Sequence, residues 1–189
     1  MNKMERLVID TETTGLSPLT NQVLSIGLLH IESNLNSLKI LNEKHILVKH
    51  DEYNISKRAM QVNKINLKEH EKKAYTTKNA CKVINSFIKK ENLSSTKVLG
   101  HNVSFDINFL NNLFENEQVE YPFFYEKEDT RYLWDDLKKR KIINPLLNSK
   151  LSTIANHFNI DCSKAHCAID DCKITAKVYQ RIIQLKRLI

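Results

Sequence analysis

The sequence predicts an α/β domain: a mixed central sheet, three antiparallel strands followed by parallel ones, flanked by helices. Three strand-like apolar runs follow one another at the start, around residues 7–9, 22–31 and 38–48, with only short turns between them. Beyond residue 75 the pattern changes, and helical stripes alternate with short apolar runs at 97–100 and 123–129. Consecutive strands followed by interleaved strands and helices are what a mixed sheet covered by helices requires. The 189 residues contain no repeat, low-complexity tract or linker, so residues 1–189 are expected to form a single domain.

Taken in order, Leu7-Val8-Ile9 runs into Asp10-Thr11-Glu12. Side chains alternate along a strand, so Asp10 and Glu12 share a face. Ser17-Pro18 marks a turn before the second strand, and the polar Asn34–Asn36 stretch separates it from the third. Short connections make an antiparallel meander the economical pairing. Residues 55–75 are lysine-rich and only patchily apolar, which predicts a short helix over 57–61 and then a loop. Thr76 or Thr77 is placed to cap a helix whose Ala80, Val83, Ile84, Phe87 and Ile88 follow helical spacing. A short buried strand over 97–100 leads to a helix through Phe109, Leu110, Leu113 and Phe114. Residues 123–129 read as another strand, followed by a helix through Leu133, Trp134 and Leu137. Two further helices, over 151–158 and 168–185, complete the chain.

No run approaches the ~18 consecutive apolar residues of a membrane span. The chain also enters a strand at once, with no secretory leader, so a cytoplasmic protein without a membrane partner is expected. Cys81, Cys162, Cys167 and Cys172 form no C-x-x-C pair, which argues for reduced, buried thiols over a zinc ribbon. A net charge of +7 and a pI near 9.2 favour a polyanionic partner. Abundant Lys, Asn and Ile with scarce Gly and Pro can also follow from AT-rich coding, so charge supports nucleic-acid binding without establishing it.

Two carboxylates emerging together from the end of a buried strand repel each other and lose solvation. A divalent metal would hold them; two wet acids at a surface strand end is the plainer alternative. Asp106 is a second signal, because on its helix it shares the apolar stripe of Phe109, Leu110 and Leu113. A carboxylate there costs several kcal/mol unless paired, although an acid in a first turn also gains ~0.3–1 kcal/mol from the helix dipole. The third signal is His166-Cys167-Ala168-Ile169-Asp170-Asp171. Periodicity places Asp171 on the stripe of Ala168, Ile174, Val178 and Ile182, facing inward. Asp170 falls with Lys173, Lys177 and Arg181, facing water and paired with Lys173. Asp10, Glu12, Asp106 and Asp171 are hard oxygen donors without a thiolate, a set that suits Mg²⁺ or Mn²⁺. Four acids could balance two such ions in the arrangement that clamps an in-line displacement at phosphorus. His166, with a reference pKa of ~6.5, suits a base that deprotonates an attacking water.

These residues resemble the DEDDh branch of the DnaQ-like 3′–5′ exonucleases, which have a ribonuclease H-like fold. The family's first motif is matched by Ile9-Asp10-Thr11-Glu12-Thr13-Thr14-Gly15-Leu16 and its second by Gly100-His101-Asn102-Val103-Ser104-Phe105-Asp106. The third, H-x₄-D, is matched by His166 and Asp171, the aspartate that periodicity also selects. Asp129-Thr130 and residues 151–160 resemble secondary family features, so the likeness spans nearly the whole chain. Ser25 stands where many relatives carry an acid, and Cys167 where the family is often basic.

The resemblance implies that Asp10, Glu12, Asp106 and Asp171 ligate two Mg²⁺ ions and that His166 is the general base. It also implies that residues 13–16, Thr14 among them, line the 3′-terminal nucleotide. Thr13 would touch the sugar, Leu16 would wedge against the base, Phe105 would offer a second apolar surface, and His101 and Asn102 would shape that pocket. Apolar surfaces grip any base face and so tolerate any sequence. The expected function is removal of nucleoside 5′-monophosphates from single-stranded or frayed DNA 3′ ends, with RNA trimming as the runner-up. A proofreading subunit of a polymerase and a silent nucleic-acid-binding relative are rivals. The chain ends about five helical turns after Asp171, which favours a stand-alone nuclease or a homodimer over a docked polymerase partner.

Overall fold

The computed structural model describes residues 3–163 and 167–187. Strands β1 (Met4–Thr13), β2 (Val23–Ser33) and β3 (Leu38–Lys49) form the expected antiparallel meander. Then come α1 (Lys57–Asn63), α2 (Leu67–Glu71), β4 (Tyr75–Thr76) and α3 (Thr77–Lys90). The remainder is β5 (Val98–Gly100), α4 (Ser104–Asn116), β6 (Lys127–Asp129), α5 (Thr130–Lys139), α6 (Leu151–His157) and α7 (Ala168–Arg187). The sheet order is β4-β3-β2-β1-β5-β6, with β5 and β6 parallel to β1 and β4 parallel to β3. The mixed sheet is the one anticipated.

β2 is buried along almost its whole length, as a strand covered on both faces must be. Leu7, Ile9, Ile26, Leu28, Ile46 and Val48 face α3 and α4, where Ile84, Phe87, Phe109 and Leu110 meet them. Val8, Leu29, Ile31 and Leu99 face α7 through Ile169, Cys172, Ala176 and Tyr179. A third cluster packs α5 and α6 onto the outer side of α7 through Trp134, Leu137, Ile154 and Val178. Thr76 caps α3, its hydroxyl accepting from the Asn79 N–H at 3.4 Å. All four cysteines are free thiols; Cys81 and Cys172 are buried, while Cys162 and Cys167 are half-buried.

Three local expectations need correction. The strand expected over 123–129 shrinks to three residues, because the aromatics before it pack on one another instead of pairing. Tyr121 and Phe123 pack tilted on each other and both meet Phe114 edge-on, with ring centroids 5.1–6.3 Å apart. α2 and β4, absent from the reading of residues 55–75, are too short to leave a periodic pattern. Asn66 caps α2 by accepting from the Lys68 and Glu69 N–H groups. Finally, Lys173 pairs with Glu43 on β3 at 2.9 Å and not with Asp170, which is half-buried.

Candidate active site

The site forms where β1 runs past the end of β5. Register pairs Asp10 with Gly27 and Glu12 with Ser25 across β1 and β2. Even-numbered residues of β1 face α7, as Val8 does, so Asp10 and Glu12 face α7 too. Gly27 lets that helix come close: a Cβ there would stand 2.5 Å from the Ala168 carbonyl oxygen. α7 thus starts directly on the sheet, and its first turn brings Asp171 to β1. Asp10, Glu12 and Asp171 each offer a carboxylate oxygen, and these oxygens lie within 4.8 Å of one another.

Asp106 arrives from the other side. Leu7 donates its N–H to the Lys97 carbonyl at 3.1 Å, and the two-residue repeat puts the Thr11 N–H on that same edge. β5 pairing ends at Gly100, so no β5 carbonyl meets the Thr11 N–H. Asp106 Oδ1 accepts it at 2.8 Å and the Thr11 hydroxyl at 2.7 Å. The aspartate in the first turn of α4 therefore extends the sheet's hydrogen bonding with a side chain. It lies outside the 4.8 Å group of three, yet its charge acts on Asp10.

Burial chiefly, and then the charges of Asp106, Asp171 and Glu12, push the Asp10 carboxyl well above the usual range. Burial and the Asp171 and Asp106 charges raise Glu12 to about 7. Asp106 rises to about 7 from burial, against the lowering effect of its two bonds from Thr11. Crowded, desolvated, oxygen-only donors fit a hard divalent cation, whose charge would reverse these shifts.

Beside the acids opens a cavity of about 360 Å³, lined by Glu12, Leu16, Arg58, Val62, Asn63 and Phe105 among others. Leu16 is 80% exposed at its rim, and Phe105 leans on Phe109 with centroids 4.8 Å apart. Both sit where a base could be gripped. Thr13 is buried, with its hydroxyl donating to the Gly15 carbonyl at 2.6 Å. Thr14 does not face the cavity: fully buried, its hydroxyl bonds Gln22 and closes the β1–β2 connection. His101 and Asn102, expected around the same pocket, line a separate groove with Arg131 and Lys150. Both ring nitrogens of His101 are engaged, Nδ1 with the Thr130 hydroxyl at 2.9 Å and Nε2 with the Ser149 carbonyl at 3.0 Å. Asp129 clamps this corner by accepting from the backbone N–H groups of Asn102, Val103 and Arg131. His166 lies outside the described residues.

Thr11, Gly27 and Asn63 were not singled out in the sequence. Asn63 is buried and donates its side-chain amide to the Thr13 carbonyl at 3.1 Å, tying α1 to the end of β1. Lys64, beside it in the left-handed region (φ 56°), is a turn that leaves no composition signal.

The sheet order, the crossing of α7 on β1 and the acidic cluster define a class, the ribonuclease H-like nucleases with carboxylate metal sites. A family model for exonucleases of the RNase T type matches residues 7–179. The PolC-type DNA polymerase III of Mycoplasmopsis pulmonis is 28% identical over 189 residues, covering 97% of this chain but 12% of that protein. Ribonuclease T of Wigglesworthia glossinidia brevipalpis is 29% identical over 185 residues, covering 94% of this chain and 83% of that protein. E. coli exonuclease I, solved with a dT13 oligonucleotide, superposes with a TM-score of 0.78 at 19% identity over 98% of this chain and 42% of that one. This chain belongs to the RNase T exonuclease family, the DEDDh branch of the DnaQ-like 3′–5′ exonucleases. It spans about an eighth of the PolC-type polymerase that it resembles. Among the described residues, no helix is long and apolar enough to cross a membrane.

Proposed function

We propose that this chain hydrolyses the terminal phosphodiester at the 3′ end of a single-stranded or frayed DNA, releasing nucleoside 5′-monophosphates. The observation that carries the reading is the convergence of Asp10, Glu12 and Asp171 beside an open cavity bearing Leu16 and Phe105. Two Mg²⁺ or Mn²⁺ ions would be held by Asp10, Glu12 and Asp171, with Asp106 contributing the oxygen that Thr11 leaves free. Bound there, the ions supply charge neutralisation at the phosphate and lower the pKa of water. The residues do the rest. Leu16 and Phe105 hold the terminal base by its faces. Asn63 fixes the Thr13 carbonyl at the cavity wall. His166, by its motif position, takes the proton of the attacking water.

RNA is the second reading, favoured by the match to ribonuclease T along most of that protein's length. A polymerase partner is supported only by the PolC-type likeness. One assay tests the reading. Matched single- and double-stranded DNA and RNA oligomers, labelled at either end, are incubated with Mg²⁺ and with chelator. Mononucleotides released only from 3′ ends, only with metal, and faster from single-stranded DNA are expected. No release overturns the enzymatic reading; faster RNA turnover makes RNA the substrate.

A further inference from the structure

Two grooves flank the site, and their charges are opposite. On the β3 side, a groove of about 740 Å³ is lined by Asp51, Glu52, Glu71 and Glu117, with Lys49 the one lysine among its lining residues. On the β6 side, a groove of about 660 Å³ is lined by Arg131, Lys138 and Lys150, with Asp135 its one carboxylate. Lys138 is neutralised within the fold, 2.7 Å from the Asp135 carboxylate and 2.7 Å from the Ser149 hydroxyl. Arg131 and Lys150 are not. Among the described residues, neither forms an ion pair. The Arg131 guanidinium donates at 3.3 Å to the side-chain amide oxygen of the neutral Asn102.

The basic groove also has the right place. β1, β5 and β6 are parallel neighbours, with Leu7 and Val8 opposite Val98 and Leu99, and Gly100 opposite Asp129. That register sets His101 level with Asp10, and Arg131 lies two residues past the end of β6. Arg131 and the metal-binding acids therefore open on the same edge of the sheet. A polyanionic strand whose end sits at four carboxylates needs cations close by and is repelled by further acids.

We propose that Arg131 and Lys150 hold backbone phosphates upstream of the scissile bond, so that the strand enters over α5 and leaves the acidic groove empty. The proposal rests on the reading that the 3′ end lies at Asp10, Glu12 and Asp171. Backbone contacts carry no sequence information, so the groove provides grip on length and not on bases.

The test separates binding from catalysis. A 5′-fluorescein-labelled dT12 is titrated with wild type, with Arg131→Ala/Lys150→Ala and with Lys39→Ala/Lys82→Ala, in chelator, by fluorescence anisotropy. The last variant removes the same charge from exposed sites outside the groove. The groove variant is expected to bind about tenfold more weakly. Its salt slope should fall by about 1.4, given ~0.7 per phosphate contact on a single strand. The advantage of dT12 over a dinucleotide in kcat/KM should shrink alongside. Equal weakening in both double variants, or none in the groove variant, overturns the proposal. An inactive wild type that still loses dT12 affinity through the groove variant sinks the catalytic reading and leaves the strand path standing.

Discussion

Asp10 is held in the site at an electrostatic cost. It is desolvated and faces Asp106, Asp171 and Glu12 at once. Asp10→Asn removes that repulsion, so the chelated variant is expected to melt several degrees higher than wild type while losing activity and the gain from Mg²⁺. A lower melting temperature in chelator would contradict the account. His166→Ala should lower kcat by roughly 10²–10⁴-fold with little change in Mn²⁺ affinity measured by titration calorimetry. Equal loss of both would make His166 a ligand. The acids were legible because strand and helix periodicities each assign a face, and all of Asp10, Glu12 and Asp171 obeyed them. Thr11 was not. Its role depends on β5 stopping short of it, which residues of the first strand alone cannot reveal. Thr14 and His101 looked like substrate contacts, yet both spend their polar atoms inside the fold.

At the scale of elements, the position of α7 decides whether Asp171 reaches β1. Gly27 sets that position, since a methyl there meets the Ala168 carbonyl at 2.5 Å. Backbone cannot yield as a flexible side chain would. Gly27→Ala should therefore destabilise by ~1–3 kcal/mol, about 2–12 °C in melting temperature at ~2–4 °C per kcal/mol for this size. It should also weaken Mn²⁺ binding, because the helix carrying Asp171 moves outward. Calorimetric scans with and without Mn²⁺ check both; unchanged metal affinity would show that α7 is not positioned by this contact. The long strands β1 to β3 and the helices α3, α4 and α7 were readable from apolar spacing. β4, α2 and the shortened β6 were not, since two to five residues give periodicity nothing to act on. In residues 121–125 the aromatic content specifies no strand pairing: Tyr121 packs on Phe123, whereas Tyr125 is exposed.

For the molecule as a whole, the site links stability to pH and metal. Glu12 and Asp106 titrate at about 7 in the fold against ~4 in an unfolded chain. The folded state therefore binds more protons between these values, and the cluster's contribution to stability falls as pH rises from about 4 to about 7. The chelated protein should melt higher at pH 5 than at pH 8, and Asp10→Asn/Glu12→Gln should flatten that difference. Mg²⁺ should raise the melting temperature more at pH 8, where the acids are ionised, than at pH 5. A metal effect that is equal at both pH values would place binding elsewhere. Anomalous diffraction from crystals soaked in Mn²⁺ and a nucleoside 5′-monophosphate tests the central claim most directly. Manganese peaks among Asp10, Glu12 and Asp171, with the base between Leu16 and Phe105, are predicted. Manganese absent from those carboxylates, or bound only at other surface acids, would contradict it.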